Sequence, residues 1–235
     1  MQIPLELKLP VRADLNDFIA QNRQEISKAV QTVIDADGHH YLYLWGNATT
    51  GKTHLLSALC QLAEAARLNV IYLPLKQAAE FSPEICEGLE TADIICIDDI
   101  EKIAGKPSWE LALFNLYNRI RDEGKKLVIS SNQSPGNIPI TLADLKSRLA
   151  WGITISLKNL TDQDKKHILQ QRAARLGMEL TDETGNYLLR HHSRTMTALL
   201  ATLDRLERAS LAAQRKLTVP FVKDFLRQAD SDNQS

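Results

Sequence analysis

Cysteine is scarce. Cys60, Cys86 and Cys96 are the only three in 235 residues, an odd number with no C-x-x-C spacing. That excludes a disulfide framework and a zinc ribbon, and fits reduced, packed thiols in a cytoplasmic protein. An excess of one charge is also lacking. The formal net charge is −1, so the chain has no wholesale electrostatic footprint for nucleic acid. Long apolar runs are missing too. None approaches the ~20 residues of a membrane span, and no signal-peptide core is present at the start. Repeats, low-complexity segments, a G-x-S-x-G elbow and a Cys–His arrangement are all absent. The histidines include two adjacent pairs, His39-His40 and His191-His192. Helical neighbours point about 100° apart and cannot chelate as an H-x-x-x-H pair does. What remains is 44% hydrophobic and 24% charged, ordinary for a globular protein of one large domain or a large plus a small one.

The strongest signal is Gly46-Asn47-Ala48-Thr49-Thr50-Gly51-Lys52-Thr53, which fits G-x-x-x-x-G-K-[ST] at every fixed position. An apolar run, Tyr41 to Trp45, precedes it, and a helical pattern opening on His54-Leu55-Leu56 follows. Strand, glycine loop and helix together make a phosphate site. The glycines let backbone N–H groups curl around phosphates, and the helix N-terminus adds its positive dipole end. Lys52 is expected to reach the β- and γ-phosphates, and the Thr53 hydroxyl to ligate Mg²⁺. His54 is expected to pack within the helix.

Asn69 to Leu73 reads as a second strand, and Ser82-Pro83-Glu84 starts a short helix. Ile94-Ile95-Cys96-Ile97-Asp98-Asp99 reads as a buried parallel strand ending in carboxylates, at the edge where such sheets bind ligands. Asp98 is expected to hold Mg²⁺, and Asp99 to orient a water. Trp109 to Glu123 forms an amphipathic helix, with Ser108 as its expected cap and Gly124 closing it; Trp109, Leu113, Leu116 and Ile120 make its core stripe. Lys126 to Asn132 is another buried strand. Asn132, with Ser131 second, is the candidate to sit between the P-loop and the Asp98 strand, within reach of a γ-phosphate. A turn-initiating asparagine is the competing reading.

Leu142 to Gly152 is a short helix, in which Arg148 reads by default as a solvated charge, and Ile153 to Leu157 is a last strand. Near Lys158-Asn159 the β/α alternation stops. Four helices follow, over roughly 162–176, 182–190, 196–214 and 219–227, with Thr161 and Thr218 as N-caps and Gly177 as a C′ residue. At the other end, residues 1–17 form an extended arm, since Pro4 and Pro10 rule out a helix. Its pattern leaves two readings open. One is an edge strand folded back on its own domain; the other is a peptide inserting Ile3, Leu5 and Leu7 into a partner. Three segments are therefore expected: the arm at 1–17, a nucleotide-binding α/β domain at 18–158, and a helical lid at 159–235. A helix from Gln24 to Ala36 packs on the sheet.

The P-loop, Asp98-Asp99, the Ser130-Ser131-Asn132 strand end and the helical lid together resemble an AAA+ P-loop NTPase core: a parallel sheet flanked by helices, plus a small all-helical lid. Asp17-Phe18-Ile19, Gly51-Lys52-Thr53-His54-Leu55, Ile97-Asp98-Asp99 and Leu145-Lys146-Ser147-Arg148-Leu149-Ala150-Trp151-Gly152 narrow the resemblance to the DnaA-related AAA+ family. Residues 109–119, 203–210 and 214–223 resemble its Hda branch, the regulatory inactivators of DnaA. The resemblance implies that Arg148 is a finger acting in trans on a neighbouring subunit's nucleotide. It places Phe18, Ile19 and His54 with the P-loop around an adenine nucleotide, ADP or ATP, with Mg²⁺. It also implies that Gln2-Ile3-Pro4-Leu5-Glu6-Leu7 is a peptide for the sliding clamp, the β subunit of DNA polymerase III. The lid's usual nucleotide-sensing arginine is replaced by Thr197, and Arg194, three residues earlier, is expected to substitute partly. No counterpart of DnaA's helix-turn-helix domain is expected in this sequence.

The implied activity is negative regulation of replication initiation. The chain would stimulate ATP hydrolysis by DnaA and thereby prevent re-initiation, its own ATPase being weak or absent. DnaA and the DNA-loaded clamp are the implied partners, with DNA met through the clamp, a homo-oligomer allowed and no membrane involved. The alternative is a helicase loader of the DnaC type.

Overall fold

The structure, a computed structural model, describes residues 15, 23–35, 38, 40–191 and 195–232. It divides into two compact units, Met1–Asn159 and Leu160–Ser235.

The first unit is built on five parallel strands: β1 (Tyr41–Trp45), β2 (Val70–Pro74), β3 (Ile94–Asp98), β4 (Lys126–Ser131) and β5 (Ile153–Ser156). Their order in the sheet is β2-β3-β4-β1-β5. The near-continuous apolar runs of β1, β3 and β4 follow from burial on both faces. Successive side chains alternate between the faces. Leu42, Leu44, Ile94, Cys96 and Val128 pack under α1 (Arg23–Ile34) and α2 (Lys52–Ala65). Tyr41, Tyr43, Ile95, Ile97, Leu127 and Ile129 pack under α3 (Pro107–Asp122) and α4 (Ala143–Leu149). Because all strands run the same way, the ends of β1, β3 and β4 meet along one edge. β4 lies between β1 and β3 there.

The stripe Trp109, Leu113, Leu116 and Ile120 is buried as expected. The start of that helix is different. Pro107 occupies the first helical position, Lys106 is the capping residue without a side-chain cap, and Ser108 lies inside the helix. Proline's fixed φ suits the first turn, where its missing N–H costs nothing. That moves the start upstream of the serine. Ser82 does precede a helical turn, but a 3-10 one (Pro83–Cys86), and its side chain makes no capping hydrogen bond.

The second unit contains α5 (Asp162–Arg175), α6 (Asp182–His191), α7 (Met196–Ala213) and α8 (Val219–Asp232). Leu169, Leu188, Leu199, Leu203, Leu206, Phe221 and Val222 form its core. Thr161 and Asp164 make a reciprocal capping box at the start of α5, and Gly177 closes it with φ 73°. Among the described residues no helix is long and apolar enough to cross a membrane.

Candidate functional site

The loop between β1 and α2 is shaped by backbone hand. Thr49 (φ 75°) and Gly51 (φ 88°) are both left-handed, and Gly51 caps α2 without a side chain. Left-handed residues at such spacing build the concave nest of N–H groups that binds anions. Gly46 is needed for a separate reason. A Cβ there would lie 2.4 Å from the Leu157 carbonyl oxygen and 2.8 Å from Thr50 Oγ1. The loop is tied to the sheet by Gly46 N–H donating to Ser131 O at 3.1 Å. Thr50 bonds Asn47 O through both its N–H (3.3 Å) and its hydroxyl (3.0 Å). Lys52 Nζ lies over this loop, donating to Gly46 O at 2.7 Å and Asn47 O at 2.9 Å. Burial lowers the Lys52 pKa, while Asp99, Glu101 and Asp98 pull it back up.

Asp98 is 3% exposed at the end of β3. Three hydroxyls donate to it: Thr53 Oγ1 at 2.7 Å and Tyr72 OH at 2.7 Å to Oδ2, and Ser130 Oγ to Oδ1. A buried carboxylate needs such donors. Tyr72 is held protonated, its pKa raised first by burial and then by the Asp98 charge. Asp99 adopts a left-handed conformation (φ 60°, ψ 50°), which aspartate tolerates better than most residues, and its N–H donates to Ser130 Oγ at 3.0 Å. Burial raises the Asp99 pKa, and Asp98 and Glu101 add to the rise. Asn132 stands just past β4, its N–H donating to Glu101 Oε2 at 3.2 Å.

The structure thus brings Gly46 to Thr53, Asp98, Asp99 and the Asn132 backbone to one edge of the sheet. The donor set suits the group the sequence implies: a rigid N–H nest, a lysine over it, and the hard oxygens of Thr53 and Asp98 for Mg²⁺. His54 lies in the first turn of α2. Gln2, Ile3, Leu5, Leu7, Phe18, Ile19 and Arg194 lie outside the described residues, as does the side chain of Thr197.

Arg148 is elsewhere. It lies on α4, which the chain leaves through Trp151 and Gly152 to enter β5. Gly152 abuts Tyr41, the first residue of β1, and Leu42 pairs with Ile153. The P-loop begins at the other end of β1. Four strand residues at ~3.3 Å each separate the two ends by roughly 13 Å.

Four participants were not singled out from sequence. Tyr72 and Ser130 read as strand residues, and Glu101 and Glu110 have no role in the sequence reading. Glu110 is 0% exposed. Its carboxylate accepts from Gly105 N (2.7 Å), Thr141 N (3.0 Å), Thr141 Oγ1 (2.6 Å) and Leu142 N (2.8 Å). It therefore holds the segment that starts α4, the helix of Arg148. Its position between Trp109 and Leu113 on the apolar stripe was the available signal.

Comparison with known proteins agrees with this geometry. Residues 11–156 match the family model for the bacterial DnaA ATPase domain. The chain belongs to the DnaA-related AAA+ family. Residues 162–226 match the model for the Hda lid domain, so this DnaA-type core is paired with an Hda-type lid. Solved structures share the fold. Domain III of Thermotoga maritima DnaA aligns with TM-score 0.74 at 20% identity, over 92% of this chain and 95% of that one. AMPPCP-bound DnaA from Aquifex aeolicus gives TM-score 0.69 at 20% identity, over 83% and 65%. The Thermotoga maritima RuvB Holliday-junction branch migration motor gives 0.70 at 17%, over 93% and 72%.

Proposed function

We propose that this DnaA-related AAA+ protein is a regulator that binds adenine nucleotide at 46–53 and stimulates ATP hydrolysis on DnaA. Arg148 is its trans-acting group. The observation that supports this reading is the placement of Arg148, half-buried on α4, at the opposite end of β1 from the chain's own P-loop. An arginine there serves a nucleotide held by another subunit.

The chain's own nucleotide, ADP or ATP, would be held for structure. The nest of residues 46–51 and Lys52 carry its phosphates, and Thr53 and Asp98 hold Mg²⁺. When bound, the metal would neutralise phosphate charge. Asp99 sits where it could orient a water, with Asn132 beside it at the strand edge. Phe18 and Ile19 would wall the base, and Arg194 on the lid would sense the phosphates. The Gln2-Ile3-Pro4-Leu5-Glu6-Leu7 segment would dock on the DNA-loaded sliding clamp and bring Arg148 to DnaA at the replication site. The result is fewer DnaA-ATP molecules after initiation, and so no re-initiation. The Hda-type lid favours this reading over a helicase loader.

The test mixes DnaA-ATP, clamp loaded on DNA and this protein, and follows phosphate release. Release faster than with clamp alone is expected, and Leu5→Ala should weaken the clamp dependence. Release no faster than with clamp alone refutes the function.

A further inference from the structure

We infer that Trp151 is the positioning residue for Arg148, an inference that rests on the proposed role of that arginine. Its indole is a fixed platform on which the guanidinium is stacked and aimed before DnaA arrives.

Trp151 is 55% exposed, one of three large hydrophobic side chains left in the open among the described residues. An indole kept in water contributes little to the fold. It does have a partner: the Arg148 guanidinium carbon lies 4.5 Å from the ring centroid, well inside the range of cation–π attraction. The backbone under the pair is fixed on both sides. Trp151 N–H donates to Arg148 O at 3.0 Å, and Ala150 N–H to Ser147 O at 3.3 Å, folding the chain back over the end of α4. Tyr41 OH donates to Leu149 O at 3.2 Å. Gly152 then turns at φ 79°, where a Cβ would sit 2.8 Å from Tyr41 O. Leu149, between the two residues of the pair, is thus bonded to the first residue of β1, and Gly152, just after the pair, packs closely against that same residue.

The chemistry of stacking suits a finger. With its carbon over the ring, a guanidinium can lie face-on to the indole and keep its in-plane N–H donors for a phosphate oxygen. Among the described residues Arg148 makes no ion pair, so no carboxylate competes for those donors. An unstacked surface arginine samples many rotamers, and a catalytic group held in its productive geometry avoids that loss.

The experiment measures single-turnover hydrolysis of ATP preloaded on DnaA, with clamp on DNA, while this protein is titrated to saturation. The variants are Trp151→Ala, Trp151→Leu, Trp151→Phe, Arg148→Ala and the Trp151→Ala/Arg148→Ala double. The pair's strength at an exposed site corresponds to about a two- to fivefold rate effect. Trp151→Ala and Trp151→Leu should therefore lower the saturating rate by that factor, with the half-saturating concentration unchanged. Trp151→Phe should keep most of the rate, and the double variant should be no slower than Arg148→Ala. A raised half-saturation with full saturating rate would make Trp151 a docking contact and overturn the inference. Leucine matching tryptophan would do the same. If Arg148→Ala is inactive and Trp151→Ala is wild-type, only the platform fails. If Arg148→Ala keeps the full rate, the finger and its platform both fail.

Discussion

Replacing Glu110 by alanine should loosen the fold more than any single surface change. The carboxylate is buried and serves four donors on two separate loops, at Gly105 and at Thr141–Leu142. Removing it leaves three backbone N–H groups and a hydroxyl without their acceptor, around a side chain that is itself fully buried. Hydrogen bonds to a charged group contribute roughly 1.5–3 kcal/mol each, and the deletions are not additive. Donors left without an acceptor cost about 1–3 kcal/mol each where they stay dry, and Gly105 and Thr141 are open enough for water to replace part of that, so a loss of about 2–4 kcal/mol is expected. Against a total domain stability of about 5–15 kcal/mol this is large. Glu110→Gln keeps the shape and one acceptor oxygen, so it should lose about half as much.

The pH dependence has a definite sign. Burial alone would raise the Glu110 pKa, but the bonds from Thr141, Leu142 and Gly105 outweigh it and leave the value lowered. A lowered folded pKa stabilises at pH above the unfolded glutamate value, about 4.3. That contribution disappears as pH falls from there through the folded value. Urea unfolding followed by circular dichroism at pH 7, and again across the acid range, measures both effects. A Glu110→Ala midpoint equal to wild type would show that the carboxylate does not hold these loops, and an acid-side stability loss identical in Glu110→Gln and wild type would show that Glu110 is not the titrating group.

Lys52→Ala should weaken binding of a fluorescent ADP analogue roughly 10- to 100-fold, the worth of one charge-assisted contact. Equilibrium titration checks this, and unchanged affinity would remove the P-loop assignment. Gly46→Ala should destabilise by about 1–3 kcal/mol through overpacking, because its Cβ would press on Leu157 O at 2.4 Å. Thermal unfolding tests it, and a wild-type melting temperature would mean that the loop has room to shift.

The P-loop, the β3 strand and the two-faced sheet were legible in the sequence because each is a local pattern. Glycine spacing encodes backbone hand, and a run such as Ile94 to Ile97 encodes a strand buried on both sides. The fourfold donor set on Glu110 and the hydroxyl cage of Asp98 were not legible. Most of their members are distant in sequence, as Ser130 (32) and Tyr72 (26) are from Asp98 and Thr141 (31) is from Glu110, and a tyrosine or serine in an apolar strand looks like core. The start of α3 was misplaced because Pro107 favours the first helical position more strongly than Ser108 favours the cap. Arg148 had no local signature. Family resemblance singled it out, and the structure adds only its place at the other end of β1 from the P-loop and its contact with Trp151.

The most direct measurement follows one turnover of γ-labelled ATP held by DnaA, with clamp on DNA and this protein supplied either as wild type or as Arg148→Ala. A finger acting in trans contributes a factor of ~10³–10⁵ in the systems where it has been dissected. Wild type should accelerate label release many-fold, and Arg148→Ala should return it to the rate with clamp alone, with ADP still bound to the variant. Label release by Arg148→Ala at the wild-type rate would contradict the trans-acting role of Arg148.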